Sequence, residues 1–216
     1  MKHIIKITCP QCHKVSDFMV YDTIKVKRDP QLIHDLLNLS LFRFVCPDCG
    51  FSVAVEYPFA FSDEDEKIFL FSLPGTNNIK EAYDRFIEVA SESIVNDKGY
   101  LFRFVDSQEA LVEKISILYN GYDDRIIELY KLKYASSWLE TYPQMINAYF
   151  MNDIKLGPCF YVFSENGIIS TISLDAKEYK ALSNKYFFDS DIRDQNIKVI
   201  NKEWAEEYLK QFEKVS

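Results

Sequence analysis

Cys9-Pro10-Gln11-Cys12 and Cys46-Pro47-Asp48-Cys49-Gly50 are the two stretches that decide how this chain is read. A two-residue spacer lets both thiolates of one tight turn face a single ion, and two such turns supply the four soft ligands that tetrahedral Zn²⁺ takes. Proline after the first cysteine of each pair fixes φ and stiffens the turn. Gly50 stands where the backbone needs φ > 0 for its N–H to approach a sulfur. His13 holds the matching place after Cys12, and histidine tolerates left-handed φ better than most residues. The expected metal ligands are therefore Cys9, Cys12, Cys46 and Cys49, and the expected cofactor is a structural Zn²⁺.

Two rival readings use the same motif. A redox dithiol needs a βαβ context with its CxxC at a helix N-terminus. Here the first pair lies between two expected strands and the second leads into one. An iron–sulfur centre also takes four cysteines. A catalytic zinc would keep one position for water, whereas four thiolates close the coordination shell.

Working outward, residues 4–8 read as a strand ending at the first pair, and residues 18–27 as the return strand. Asp29-Pro30 is a helix start, with Asp29 able to cap and Pro30 at the first helical position. Leu32, Ile33, Leu36 and Leu37 follow at helical spacing. Residues 41–45 form a strand into the second pair. Residues 51–57 form another, with Phe51, Val53, Val55 and Tyr57 on one face. The separation between the pairs exceeds the usual fifteen to twenty residues or so, and the extra length houses the helix. That describes a zinc ribbon with a helix inserted between its knuckles.

Pro74-Gly75-Thr76-Asn77-Asn78 is a turn or linker signal, so a first domain is expected over 1–78 and a second over 79–216. In the second, a helix is expected over 79–95 and a strand over 100–105. Ser107 can cap a helix to about Tyr119, with Gly121 as its stop. Asp123 and Asp124 start a helix from Arg125 to about Tyr142, limited by Pro143. Strands at 160–163 and 168–172 flank a hairpin turn at 164–167. A helix near 176–187, a strand near 197–200 and a helix at 202–213 complete the series. The fold class is α+β: an N-terminal zinc ribbon with an inserted helix, followed by a helix-rich α+β part with a β-hairpin.

The 216 residues are 48% hydrophobic, 15% aromatic and 27% charged, with a formal net charge of −8. That excludes a disordered or low-complexity chain. Residues 1–60 hold seven basic and six acidic side chains, leaving 18 basic and 27 acidic beyond them. The acidity therefore belongs to the second part, and it disfavours nucleic acid as a partner. No apolar run approaches the eighteen or so residues of a membrane span, and the N-terminus lacks the apolar core of a signal peptide. The expectation is a cytoplasmic protein without membrane attachment, where thiols stay reduced and cysteine pairs serve metals.

The first region resembles the CpXC family, named for its CPxC motif. The resemblance rests on Cys9-Pro10-Gln11-Cys12, on Asp29-Pro30-Gln31-Leu32 with Leu36-Leu37, on Leu41-Phe42, and on Cys46-Pro47-Asp48-Cys49-Gly50. Leu111-Val112-Glu113-Lys114-Ile115 and Gly121 to Glu128 look like the family's later helical segment. About the first 130 residues are covered. Leu39 departs from the pattern, since the family's glycine is expected after the Leu-Leu pair. The resemblance implies a bacterial or archaeal zinc-ribbon-like protein and supplies no activity.

Other chemistry-bearing residues have structural explanations. His3, His13 and His34 would have to converge to make a second metal site. Cys159 precedes an apolar strand, and no histidine follows His34 in sequence to serve it as a base. Asp123, Asp124, Arg125 and Glu128 suit a helix start with surface ion pairs. Residues 62–66 read as a solvated acidic turn. Lys25, Lys27 and Arg28 are the candidate basic patch. Phe42 and Phe44 share a strand face, with Arg43 opposite. No glycine-rich phosphate loop occurs. The function expected is a zinc-binding cytoplasmic binding or adaptor module with a protein partner and no catalysis. The alternatives are a nucleic-acid-associated regulator acting through the ribbon, and an enzyme with an unrecognised site in 79–216.

Overall fold

A computed structural model describes residues 2–76, 78–89, 99–186 and 199–215. The chain divides into two compact units, Met1–Val112 and Glu113–Ser216. Among the described residues there are six α-helices and several sheets, which is the expected mixed α+β class.

In the first unit, β1 (Lys2–Thr8) and β2 (Val15–Tyr21) form an antiparallel hairpin. The expected return strand splits: β2 ends at Tyr21, and β3 (Thr23–Lys25) pairs in parallel with β6 (Phe59–Asp63) in another sheet. After Pro30 a 3-10 turn runs into the short helix α1 (Ile33–Leu37). Asp29 does not cap it. Its carboxylate instead accepts the Lys25 N–H at 3.0 Å and the Arg28 guanidinium at 2.6 Å. Leu39 ends the helix at φ 63°. The left-handed turn expected of glycine is thus present, carried by a leucine at some steric cost.

β4 (Arg43–Val45) and β5 (Ser52–Ala54) make a second antiparallel hairpin. Alternation on the first hairpin sends Ile5, Ile7, Phe18 and Val20 inward. There they meet Phe44, Phe51, Val55 and Tyr57 around Cys9 and Cys46. Phe18 and Phe44 pack edge-to-face at 6.2 Å. Phe51, Val55 and Tyr57 sit as their alternation demands, while Val53 is partly exposed because β5 is only three residues long.

β7 (Ile68–Ser72) pairs antiparallel with β6 and parallel with β8 (Leu101–Val105), completing the order β3-β6-β7-β8. Every residue of β6 and β8 is buried, as expected of strands covered on both faces. This sheet explains why the first unit runs on to Val112, whereas the sequence reading ended its first domain at residue 78: the strand after the Pro74-Gly75 turn returns to the sheet before it. The expected acidic turn is shorter than read, because Ser62 and Asp63 belong to β6 and only 64–67 turn. α2 (Ile79–Val89) forms as expected; the expected continuation to residue 95 lies outside the described residues.

α3 (Gln108–Tyr119) begins with Ser107 Oγ accepting the Ala110 N–H at 3.1 Å, and Gly121 follows its end at φ 73°. In the second unit α4 (Asp124–Thr141) is capped by Asp123 and stops before Pro143. β9 (Asn147–Asp153), which the sequence reading did not identify, joins β10 (Gly157–Ser164) and β11 (Gly167–Ser173) in an antiparallel sheet. α5 (Ala176–Lys185) and α6 (Lys202–Val215) follow. The strand expected near 197–200 lies partly outside the described residues, and residues 199 and 200 are not in a strand.

The core of this unit is aromatic. Phe160 stacks on Tyr130 at 5.4 Å and meets Trp138 at 5.0 Å and Phe150 at 5.8 Å. The buried phenols also find polar partners, as such groups require. Tyr130 Oη accepts the Asp175 N–H at the start of α5, and Tyr179 Oη accepts the Asp123 N–H at the start of α4. Each helix thereby fixes the beginning of the other.

Phe160→Ala empties the centre of this cluster and is expected to destabilise the second unit by about 3–5 kcal/mol. Both tryptophans, Trp138 and Trp204, lie in that unit, so urea unfolding followed by tryptophan emission reads the change directly.

Candidate metal centre

Each cysteine pair closes the end of one hairpin of the first unit, and the two turns have the same backbone plan. In the first, the Cys9 N–H donates to the Lys14 carbonyl and the His13 N–H to the Cys9 carbonyl, both at 2.9 Å. In the second, the Cys46 N–H donates to Phe51 at 2.8 Å and the Gly50 N–H to Cys46 at 2.9 Å. The residue after each pair is left-handed, His13 at φ 59° and Gly50 at φ 72°. His13 therefore serves through its backbone, in the place of a glycine, and its side chain is exposed.

The four sulfurs lie within 4.8 Å of one another. Across the two turns, Cys9 and Cys49 are 3.6 Å apart, as are Cys12 and Cys46. Four sulfurs bound tetrahedrally to one ion at about 2.3 Å would stand about 3.8 Å from each other. A disulfide requires about 2.05 Å, and all five cysteines are free. The donor set thus fits a single metal ion held by both turns. Among the described residues this is the one cluster of three or more His, Cys, Asp or Glu side chains placed to hold a metal.

The thiols respond differently to their crowding. For Cys9, burial raises the pKa, but the N–H groups of Cys12 and Gln11 at its sulfur, with the neighbouring thiols, bring it down to about 7. The Cys49 sulfur accepts the Phe51 N–H, yet burial and the surrounding sulfurs push it up to about 12. Cys12 is likewise raised: the Lys14 N–H favours its thiolate, but burial and the Cys46 and Cys9 sulfurs outweigh it. Four thiolates this close repel one another unless a cation stands between them. Lys14 and Asp48, one from each turn, pair at 2.5 Å. Motif spacing places both residues beside the cysteines but does not reveal that they meet.

The remaining sequence candidates are not drawn into a second centre. His3 pairs with Asp22 and exposed His34 with Asp35. Cys159 is fully buried and its thiol is pushed up by that burial and by Asp153. Lys25, Lys27 and Arg28 each face an acid of the same unit: Glu64 at 3.5 Å, Asp65 at 2.6 Å and Asp29 at 2.6 Å. The basic cluster and the acidic run, separate in sequence, meet because β3 pairs with β6. Phe42 and Phe44 are buried and Arg43 is exposed, as their alternation requires.

The segment 123–128 departs from its expected surface role. Arg125 pairs with Asp123 at 2.6 Å, while Asp124 and Glu128 are buried in a network of charges. Lys114 lies 3.3 Å from both Asp124 and Glu128. Lys131 lies 3.0 Å from Glu128 and from Glu113. Glu113 also accepts the Phe150 N–H at 2.7 Å, tying α3 to β9. Burial raises the Glu113 carboxyl, and Glu128 adds to it, against the opposing pull of Lys131 and Lys114. Lys131 stays protonated despite its burial, because Glu113 and Glu128 hold its charge. The i, i+3 spacing of Glu128 and Lys131 is visible in the sequence, but the partners on α3 are not.

A family model described as CpXC protein matches residues 7–131. No curated protein and no solved structure matches. The matched span includes all four clustered cysteines and ends on Lys131, so it also contains the whole charge network.

Lys131→Met removes the ammonium that contacts Glu113 and leaves Glu128 with Lys114 alone, and is expected to cost about 3–5 kcal/mol. The Glu113 carboxyl, already raised by burial, would rise further above its unfolded value. The native state then holds its proton more tightly, so stability is retained at low pH and lost as pH rises. Urea midpoints at pH 5 and pH 8 are expected to show the larger deficit at pH 8; equal deficits would show that the carboxylates do not depend on this lysine.

Proposed function

The chain belongs to the CpXC family, and we propose that it is a zinc-binding module whose metal builds a binding surface and takes no part in catalysis. The observation that carries this reading is the convergence of Cys9, Cys12, Cys46 and Cys49 from two hairpin ends onto one point. Thiolates favour Zn²⁺, which accepts four of them tetrahedrally and then has no position left for water. The first unit then reads as a zinc ribbon with α1 inserted between its knuckles. When bound, the zinc supplies cross-linking of the two hairpins. Neither two-stranded hairpin is expected to be stable by itself, so the binding energy of the metal becomes folding energy.

The adaptor role draws on the outer face of the first hairpin. Ile4 pairs with Met19 across the strands. These two and Val15 stay exposed while their neighbours Ile5, Ile7, Phe18 and Val20 face inward. Exposed apolar side chains beside Lys2 and Lys6 suit a protein partner better than a phosphate backbone. The buried charges around Lys114 are read as supports, because they pair with one another between α3 and α4. Cysteines placed to hold a metal suit a reducing, cytoplasmic site of action. Among the described residues no helix is long and apolar enough to cross a membrane.

Intact-mass measurement under native and then denaturing conditions is expected to show one zinc ion per chain, lost on unfolding. Cys46→Ser is expected to abolish retention of the ion, and chelation to lower the thermal midpoint of the unaltered protein. A substrate turnover abolished by one substitution would reject the non-catalytic role.

A further inference from the structure

The four sulfurs are not equally protected. Cys9 and Cys46 are 0% and 1% exposed inside the apolar cluster of Phe18, Val20 and Phe44. Cys12 is half-buried and Cys49 is exposed. The centre therefore has one closed wall and one open side, with Cys49 on the open side. The exposed sulfur also has a buried one within reach on the other turn, Cys9 at 3.6 Å. The Cys9 sulfur is held in place by the N–H groups of Gln11 and Cys12. The only other cysteine, Cys159, is fully buried in the second unit.

Resting on the zinc reading above, we infer that this centre is a peroxide-sensitive switch that opens by forming a disulfide between Cys9 and Cys49. As a ligand of zinc, Cys49 is a thiolate, and it attacks one oxygen of hydrogen peroxide. The O–O bond breaks, an S–O bond forms, and hydroxide leaves with the electron pair. The Cys9 thiolate then attacks the sulfenic sulfur of Cys49, forming the S–S bond and expelling a second hydroxide. Two thiolates have lost two electrons and the peroxide has gained them, so the balance closes without a further reactant.

Two of the four donors are consumed in this sequence, and Cys12 and Cys46 alone do not complete a tetrahedral site. The product keeps the two hairpins joined, because the new bond spans the same two turns that the metal spans. Oxidation thus exchanges a metal cross-link for a covalent one and frees Cys12 and Cys46. A disulfide within either CxxC turn would have the opposite effect and separate the hairpins. The identity of the cross-link therefore decides whether the outer face of β1 and β2 survives oxidation.

The test uses the full chain loaded with zinc. Zinc content is measured first, then hydrogen peroxide is added and released metal is followed with a chromophoric chelator. Remaining thiols are alkylated, and the protein is digested with trypsin without reductant. The expected result is release of the whole bound equivalent, with peptide 7–14 joined to peptide 44–67 through Cys9 and Cys49. Cys12, Cys46 and Cys159 are expected to carry the alkyl group, and reductant with added zinc is expected to restore the starting metal content. Zinc that is present and retained, or a disulfide confined to peptide 7–14 or to peptide 44–67, overturns the switch and leaves the zinc reading standing. A starting protein without zinc overturns the zinc reading and the switch with it.

Discussion

Mutual repulsion among four sulfurs is the constraint on which the first unit turns. Sulfurs placed 3.6 Å apart would repel one another as thiolates unless a positive charge stood between them. The chain gathers them at the ends of two hairpins that also share a small apolar cluster. The apolar cluster around Cys9 and Cys46 holds one side of the centre, and the Lys14–Asp48 pair links the two turns at the surface. Neither contact places a charge at the sulfurs themselves, and their spacing is compatible with a metal ion between them.

The second unit meets a different cost with a similar solution. It buries carboxylates and ammonium groups instead of thiols, and it satisfies them with one another. Glu113 and Lys114 project from α3, and Asp124, Glu128 and Lys131 from α4. Such a network adds little over a well-packed apolar core, but losing one member is severe, because the remaining charges stay buried. It therefore specifies how the two helices register, while the ring stack of Tyr130, Phe160 and Trp138 supplies the burial.

Much of the first unit was legible because its signals are local. Cysteine spacing, Pro10, Pro47 and Gly50 each act within a single turn, and the positive φ at His13 and Gly50 follows from that turn geometry. The left-handed Leu39 was flagged by departure from a family pattern. Ser107, Gly121 and Asp123 mark helix ends through bonds to the nearest backbone. β9 escaped notice because Asn147 and Asn152 blur its alternation and its strand character comes from pairing with β10. The sheet order β3-β6-β7-β8 escaped for the same reason: β3 has three residues and finds its place only beside β6.

The sequence by itself determined which four side chains meet, since two rigid turns of the same plan present their sulfurs alike wherever the turns are carried. It also determined the mixed α+β class and most helix ends, which depend on neighbours a few residues away. Tertiary structure alone decided which sulfur faces water, which charges near Asp124 are buried, and that the sheet begun before Pro74 continues after it. Those outcomes depend on residues far apart in the chain lying against each other, and no local spacing encodes that contact.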